Sequence, residues 1–290
     1  VSMVWAFRGK KLLPMARIDA HQHFWKYDPV RDSWINEAMH KIRRDFLPGD
    51  LAPILKENGI DGTIAVQADQ SEAENDFLLS LAKKNDFIKG VVGWIDFRAT
   101  NADERLQYYS SFPKMKGFRH VLQGEKDRAY MLLPDFKTGI ALLEKYGFTY
   151  DVLIYPDQLE YALAFCQTFP NQPFIIDHLA KPAIREDGLL AWKKEIVKFK
   201  TVEHVYCKVS GIITEADWVN WSAVDIYPYL DVIVATFGTS RLVFGSDWPV
   251  CLVAGEYSRV KQLVVQYFES YSRQEKEAIF GGNAERFYKL

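Results

Sequence analysis

Eight short apolar runs, separated by stretches of helical hydrophobic periodicity, set the strongest limit on how this 290-residue chain can fold. The runs cover 17–24, 62–67, 89–96, 116–122, 149–155, 173–179, 205–212 and 242–247. Each is apolar along most of its length, as strands covered on both faces must be. Between them, 71–84 opens with Ser71-Glu72-Ala73-Glu74 at capping-box spacing and carries Phe77, Leu78 and Leu81 on one side. The segment 134–146 opens on Pro134 and stops at Gly147. Further helices are expected over 157–169, 188–200, 225–237 and 256–271, with a terminal pair over 273–280 and 284–289. Strand-then-helix units repeated in this way predict an α/β protein, a (β/α)8 TIM barrel, as a single domain over 15–290. A doubly wound open sheet is the main competitor, but no Gly-x-Gly-x-x-Gly turn follows the first strand.

Residues 1–14 read differently. They mix Trp5, Phe7, Arg8, Lys10 and Lys11 without a sustained period, which suggests a leader or disordered extension ahead of a start at Met15. The positive charges follow the apolar patch and no small-residue cleavage site appears, against a secretory signal. A formal net charge of -2 gives no electrostatic case for nucleic acid or an anionic membrane. No apolar run is long enough to span a bilayer. Cys166, Cys207 and Cys251 are odd in number and far apart, which argues against a disulfide framework and for a cytoplasmic location.

In a barrel of this kind the site lies at the C-terminal ends of the strands. His21 and His23 end the first run, on one face of the strand and about 7 Å apart along it. Gln67 ends the second, Trp94 and Asp96 the third, Arg119 and His120 the fourth. The fifth ends at Tyr155 without a histidine, the sixth in Asp177-His178, the seventh in Lys208 and Ser210, the eighth in Asp247. Polar groups in such positions are costly to bury unpaired, so their clustering points to chemistry, although ordinary hydrogen bonding at strand ends is the plainer alternative. Arg119 and His120 alternate, so one of them faces the site. The long connection 25–49, with Trp25, Tyr27 and Trp34, has the length of a lid. His40 and His204 lie away from strand ends and read as surface residues.

Four segments taken together resemble a known family: His21-Gln-His23-Phe-Trp, Ile176-Asp177-His178-Leu-Ala-Lys181-Pro182, Lys208-Val-Ser210-Gly211 and Phe244-Gly-Ser-Asp247-Trp-Pro249. They are similar to the amidohydrolase-related family of the amidohydrolase superfamily, in the branch that holds sugar-acid lactonases and 2-pyrone-4,6-dicarboxylate lactonase. The resemblance implies a (β/α)8 barrel and hydrolysis of a sugar-acid lactone such as L-fucono- or L-rhamnonolactone. It places His21, His23, His178 and Asp247 in the active site, with Asp247 as general base and the imidazoles, or a metal they hold, polarising the carbonyl. Arg119, His120, Gln67, Lys208, Trp34, Trp94 and Trp248 are the candidates for substrate contact. The fifth strand lacks the histidine, and the fourth the bridging lysine, of metal-dependent members. That departure argues against a two-metal centre and leaves one Zn²⁺, held by His21, His23, His178 and Asp247, open against metal-free chemistry. The runner-up activities on this scaffold are an amide or pyrone hydrolase and a metal-dependent non-oxidative decarboxylase; a sugar-acid-binding sensor is the non-enzymatic reading. The absence of Gly-x-Ser-x-Gly disfavours a serine hydrolase, and the absence of a Gly-rich phosphate loop disfavours phosphoryl transfer. The expected partner is a small lactone, with self-association into a homo-oligomer left open.

Overall fold

The computed structural model describes residues 15–290; the expected leader lies outside the described residues. Every apolar run forms a strand: β1 (Ile18–Gln22), β2 (Gly62–Val66), β3 (Ile88–Gly93), β4 (Met115–His120), β5 (Thr149–Val152), β6 (Phe174–Ile176), β7 (Val205–Val209) and β8 (Leu242–Phe244). They pair in chain order, all parallel. The ring closes where β1 meets the segment after β8. His23 N donates to Trp248 O at 2.7 Å, Asp247 N donates to His21 O at 2.8 Å, and Gln22 bridges Trp248. The closure bonds therefore run through the His-x-His pair and Asp247. The ladders end short of the apolar runs, most clearly at β6 and β8, and the leftover residues turn over the mouth of the barrel.

The connecting helices are α1 (Pro48–Glu57), α2 (Glu72–Lys84), α3 (Ala102–Ser110), α4 (Pro134–Tyr146), α5 (Leu159–Thr168), α6 (Leu189–Ile196), α7 (Ala223–Phe237) and α8 (Tyr257–Tyr267), followed by α9 (Arg273–Glu277) and α10 (Asn283–Tyr288). Ser71 caps α2 by accepting from Glu74 N at 3.2 Å, and Gly147 ends α4 in the left-handed region, as the sequence predicts. Two helices were not legible in the sequence. Pro53 sits inside α1, where a proline normally argues against a helix. In α3 only Ala102, Leu106 and Tyr109 are buried, too few to give a strong period.

Inside the barrel, Ile18, Ala20, Ile64, Val66, Val92, Ile175 and Val243 pack with Phe287 and Tyr288 of α10, which stoppers the N-terminal end. The larger apolar layer lies between sheet and helices. Stacking one buried face on the other leaves the C-terminal mouth as the polar end. Among the described residues no helix is long and apolar enough to cross a membrane.

Candidate active site

At the mouth, four ligand-type atoms converge. His23 Nε2 lies 3.4 Å from Asp247 Oδ1, and His21 Nε2 and His178 Nε2 each lie 3.8 Å from it. His21 Nε2 and His23 Nε2 are 3.2 Å apart, so the side chains close most of the spacing that the strand rise alone implies. Each group is held from behind. His23 Nδ1 donates to Val66 O at 2.8 Å, and His178 Nδ1 pairs with Ser210 Oγ at 2.9 Å.

Two of these residues stand on unusual backbone. His178, Leu179, Ala180 and Lys181 all have positive φ, a single left-handed turn after β6. Asp247 has φ 58°. Left-handed geometry costs an L-residue roughly 1–2 kcal/mol. The turn is pinned by Trp192 of α6, whose Nε1 donates to Leu179 O at 2.8 Å, and by Lys181 N donating to His178 O at 2.7 Å. Gly211, itself at φ +61°, packs against the His178 ring so closely that a Cβ there would lie 2.4 Å from Nδ1.

Beneath the imidazoles lies a dry charged layer. Lys208 Nζ sits between Asp151 Oδ2, Asp177 Oδ1 at 3.0 Å and His21 Nδ1 at 3.1 Å. Arg119 Nη1 donates to Asp177 Oδ2 at 3.0 Å and Nη2 to Gln67 O at 2.5 Å. Tyr288 donates to Asp151 from below at 3.0 Å. Burial, with the Lys208 charge adding to it, holds the His21 imidazole well below its ordinary range. Burial, with the Lys181 and Arg119 charges adding to it, moves His178 down to about 4 against the pull of Asp247 and Asp177. Burial would raise the Asp247 carboxyl, but the imidazoles of His178, His23 and His21 outweigh it and hold it below the carboxylate range. Burial is likewise overruled at Asp177 by Lys208, His21 and Arg119, so that carboxyl stays ionised. Near neutral pH the site therefore sets an ionised Asp247 against neutral His21 and His178.

Above this layer opens a cavity of about 310 Å³. His23, His178, Asp247 and Arg119 form its floor, and Trp34, Ala68, Val121, Leu153 and Val250 its apolar walls. Arg31, Asp69, Gln70, Gln123 and Lys181 supply polar groups around the rim. Trp34 is 42% exposed and stands edge-on to the buried Trp25, which ties the 25–49 connection down through Nε1 to Arg44 O at 2.8 Å. Arg31 is set in place by a two-pronged contact to Asp32, 2.9 Å on each side.

Of the residues expected on the substrate, Arg119 and Trp34 line the cavity. Several others do not. Lys208 is fully buried because two carboxylates claim it below the floor. Gln67 turns inward, donating to Arg119 O at 3.0 Å. Trp94 and His120 face each other instead, Trp94 Nε1 donating to His120 Nδ1 at 3.2 Å while His120 Nε2 binds Glu125 at 2.7 Å. The alternation of Arg119 and His120 thus puts the arginine on the site side. Trp248 is buried against Phe24 and Phe46. His21 itself lies behind His23 and off the cavity wall. His40 is exposed, whereas the half-buried His204 binds Cys166 O at 3.0 Å. The rim groups Arg31, Asp69, Gln70, Gln123 and Lys181 were missed because they sit on loops just past the strand ends, where no periodicity marks them. Asp28 and Asp32 around Arg31 were a usable signal, as turn-forming acids that fix a loop.

The donor set suits one divalent ion. A tetrahedral zinc with bonds of about 2.0–2.1 Å spaces its ligand atoms by about 3.4 Å; the facing atoms of His21, His23 and Asp247 are separated by 3.2 to 3.8 Å, and these three form one mutually close group, while His178 Nε2 lies 3.8 Å from Asp247 Oδ1 but outside that group. Imidazole and carboxylate groups converging at the open end of a (β/α)8 barrel define a hydrolase of carbonyl compounds with a place for one metal. The chain belongs to the amidohydrolase family, whose description "Amidohydrolase" matches residues 18–290. It is 41% identical to an L-fucono-1,5-lactonase of Burkholderia multivorans, over 94% of this chain and 96% of the relative. It is 33% identical to an L-fucono-1,5-lactonase of Burkholderia ambifaria, over 94% and 96%. A crystal structure of an amidohydrolase from Burkholderia multivorans with bound zinc superposes with a TM-score of 0.92 at 41% identity, covering 95% of this chain and 99% of that one.

Proposed function

We propose that this protein hydrolyses the ring ester of a six-carbon aldonolactone to the open sugar acid, preferring 6-deoxy lactones such as L-fuconolactone. The observation that carries this reading is the 41% identity, across 94% of the chain, to a relative named L-fucono-1,5-lactonase. The cavity is suited to such a ring. Trp34, Val121, Leu153 and Val250 offer apolar surface to a methyl face, while Asp69, Gln70, Gln123 and Lys181 offer partners to hydroxyls.

Asp247, ionised on the floor, takes a proton from a water as that water attacks the lactone carbonyl. Oxyanion charge falls toward the Arg119 guanidinium and toward His178 on the floor. The ring C–O bond then breaks, and the proton held on Asp247 passes to the leaving oxygen, which becomes a hydroxyl. The new carboxylic acid loses its remaining proton to solvent, and repulsion between the resulting carboxylate and Asp247 favours release. His21, His23 and Asp247 would hold a divalent ion, with His178 beside them, and the ion would supply Lewis-acid polarisation of the carbonyl when bound. Three free, buried cysteines support a cytoplasmic location.

The test is acid release from a panel of aldonolactones, read by a pH indicator in weak buffer against a no-enzyme blank. Asp247→Asn keeps the shape but cannot accept the proton, so turnover should fall on the order of 10²–10⁴-fold. Activity of the variant within threefold of the parent removes Asp247 from the mechanism. Consumption of a pyrone or aromatic carboxylate, with no aldonolactone opened above the blank, replaces the substrate reading.

A further inference from the structure

Building on the lactone-hydrolase reading, we infer that Glu215 sets the substrate charge this site accepts. By cancelling the charge of the Lys181 ammonium, it leaves the cavity selective for uncharged lactones over lactones that carry a carboxylate. Three cations line the cavity, Arg31, Arg119 and Lys181. Each meets a carboxylate behind it. Arg31 Nη2 lies 2.9 Å from Asp32 Oδ2, Arg119 Nη1 lies 3.0 Å from Asp177 Oδ2, and Lys181 Nζ lies 3.7 Å from Glu215 Oε1. Asp177 also meets Lys208, whose second carboxylate is Asp151, so the layer under the floor is balanced. Two further acids, Asp69 and Asp247, face the cavity. Among the described residues neither has a lysine or arginine at ion-pair distance; Asp69 accepts from Ser71 Oγ at 2.6 Å, and Asp247 faces imidazoles. The lining thus carries more negative than positive charge, and a substrate carboxylate would enter against it.

Lys181 is the cation whose balance is easiest to upset. Arg31 is held by Asp32 on two prongs, and Arg119 is tied to both Asp177 and Gln67 O. The Lys181–Glu215 pair is longer than a hydrogen bond, and the ammonium also stands 5.6 Å from the Tyr155 ring centroid. An ammonium has three N–H donors. Lys181 can therefore donate to a sugar hydroxyl while Glu215 neutralises the charge that would draw in an anion.

Glu215 stands off the cavity wall, at the end of the short turn Ile213–Glu215 that follows β7. Other groups hold that turn. Thr214 Oγ1 donates to Gly211 O at 2.6 Å, and Trp218 Nε1 donates to Thr214 O at 2.8 Å. The Glu215 side chain contributes charge rather than scaffolding. It acts on the substrate through Lys181 and is a specificity-determining residue, built as a neutralising partner and not as a contact.

The experiment compares two substrates that differ at one carbon: a 6-deoxy aldonolactone, and the aldaric monolactone of the same stereochemistry, with a carboxylate in place of the methyl. Burial raises the Glu215 carboxyl against the Lys181 charge, so full-length protein is assayed at about pH 8, where Glu215 is ionised. The parent should favour the neutral lactone by at least about tenfold in kcat/KM. Glu215→Gln should move that ratio toward the carboxylated lactone on the order of tenfold, the worth of one charge about 10 Å away at an effective dielectric of about 20. Adding Lys181→Met to Glu215→Gln should abolish the shift, and Glu215→Asp should keep the parent ratio. Calorimetric titration with the open aldarate, a dianion, gives the same comparison without turnover: it should bind Glu215→Gln about tenfold more tightly than the parent or the double variant. If the parent opens no lactone above the blank, the lactone-hydrolase reading fails, and the aldarate titration still decides the role of Glu215. A parent that takes the carboxylated lactone as well as the neutral one overturns the inference, with or without folded variants. So does a folded Glu215→Gln whose ratio and aldarate affinity are unchanged, or a shift that survives the loss of Lys181.

Discussion

Replacing Gly211 with alanine tests whether His178 is held by packing from β7 or only by its own loop. The Cβ would lie 2.4 Å from His178 Nδ1 and 2.7 Å from Cγ. Ordinary van der Waals contact is about 3.5–4.0 Å, so the ring must retreat by about 1 Å. Retreat breaks the His178–Ser210 hydrogen bond of 2.9 Å, worth about 1 kcal/mol. The φ of +61° adds a backbone penalty of roughly 1–2 kcal/mol for alanine. Together these give a loss of about 2–3 kcal/mol in urea unfolding. A reacting group displaced by about 1 Å can lose about 10²-fold in rate, and that is the expected fall in lactonase kcat/KM per folded molecule. Gly238→Ala is the control. Its φ is +65° with no atom within 4 Å of the new Cβ. It should lose stability by about 1–3 kcal/mol and keep its activity. If Gly211→Ala retains kcat/KM within threefold of Gly238→Ala, the placement of His178 does not depend on this contact and the argument fails.

Asp19 gives a pH signature: burial pushes its carboxyl up to about 6, against donors from Ser246, His21 and Tyr257. The proton is held more tightly in the folded chain, so this contribution is complete below about pH 4 and is lost as pH rises through about 6. His178, lowered to about 4, acts in the opposite direction over much of the same range. The difference between parent and Asp19→Asn isolates the first effect, and parent stability relative to the variant should drop by about 2 kcal/mol between about pH 4.5 and about pH 7; a flat difference in chemical unfolding would refute it. A site that works without a bound ion should keep lactone turnover within about threefold after prolonged chelation; activity that disappears and returns in proportion to added Zn²⁺ would instead show that the ion held by the imidazoles and Asp247 takes part. Trp34→Ala removes an exposed cavity wall and should raise KM by about three- to tenfold with little change in kcat, the worth of one aromatic contact; an unchanged KM would take Trp34 off the substrate.

The one-dimensional pattern determined the barrel. A strand buried on both faces must be apolar, and a helix on its outside must be apolar on one side, so the eight repeats are written in residue order. That pattern also located the strand ends, and with them His21, His23, His178, Arg119 and Asp247, because a polar residue closing an apolar run is costly unless it is used. It did not reveal α1 or α3, where Pro53 and a largely polar surface mask the period. Nor could it say which strand-end groups reach the cavity. Lys208 and Arg119 look alike in the sequence, both cations at strand ends. Only the closed barrel shows that Lys208 is surrounded by His21 of β1, Asp151 of β5 and Asp177 just past β6, while Arg119 reaches the cavity floor. The positive φ of His178 and Asp247 is equally tertiary: Asp and His enter the left-handed region more readily than most residues, but contacts such as Trp192 to Leu179 hold the His178 turn there. Sequence decides which residues arrive at the mouth of the barrel; side-chain direction is decided by partners far apart in the chain, because burying a charge is feasible only where an opposite charge from another strand meets it.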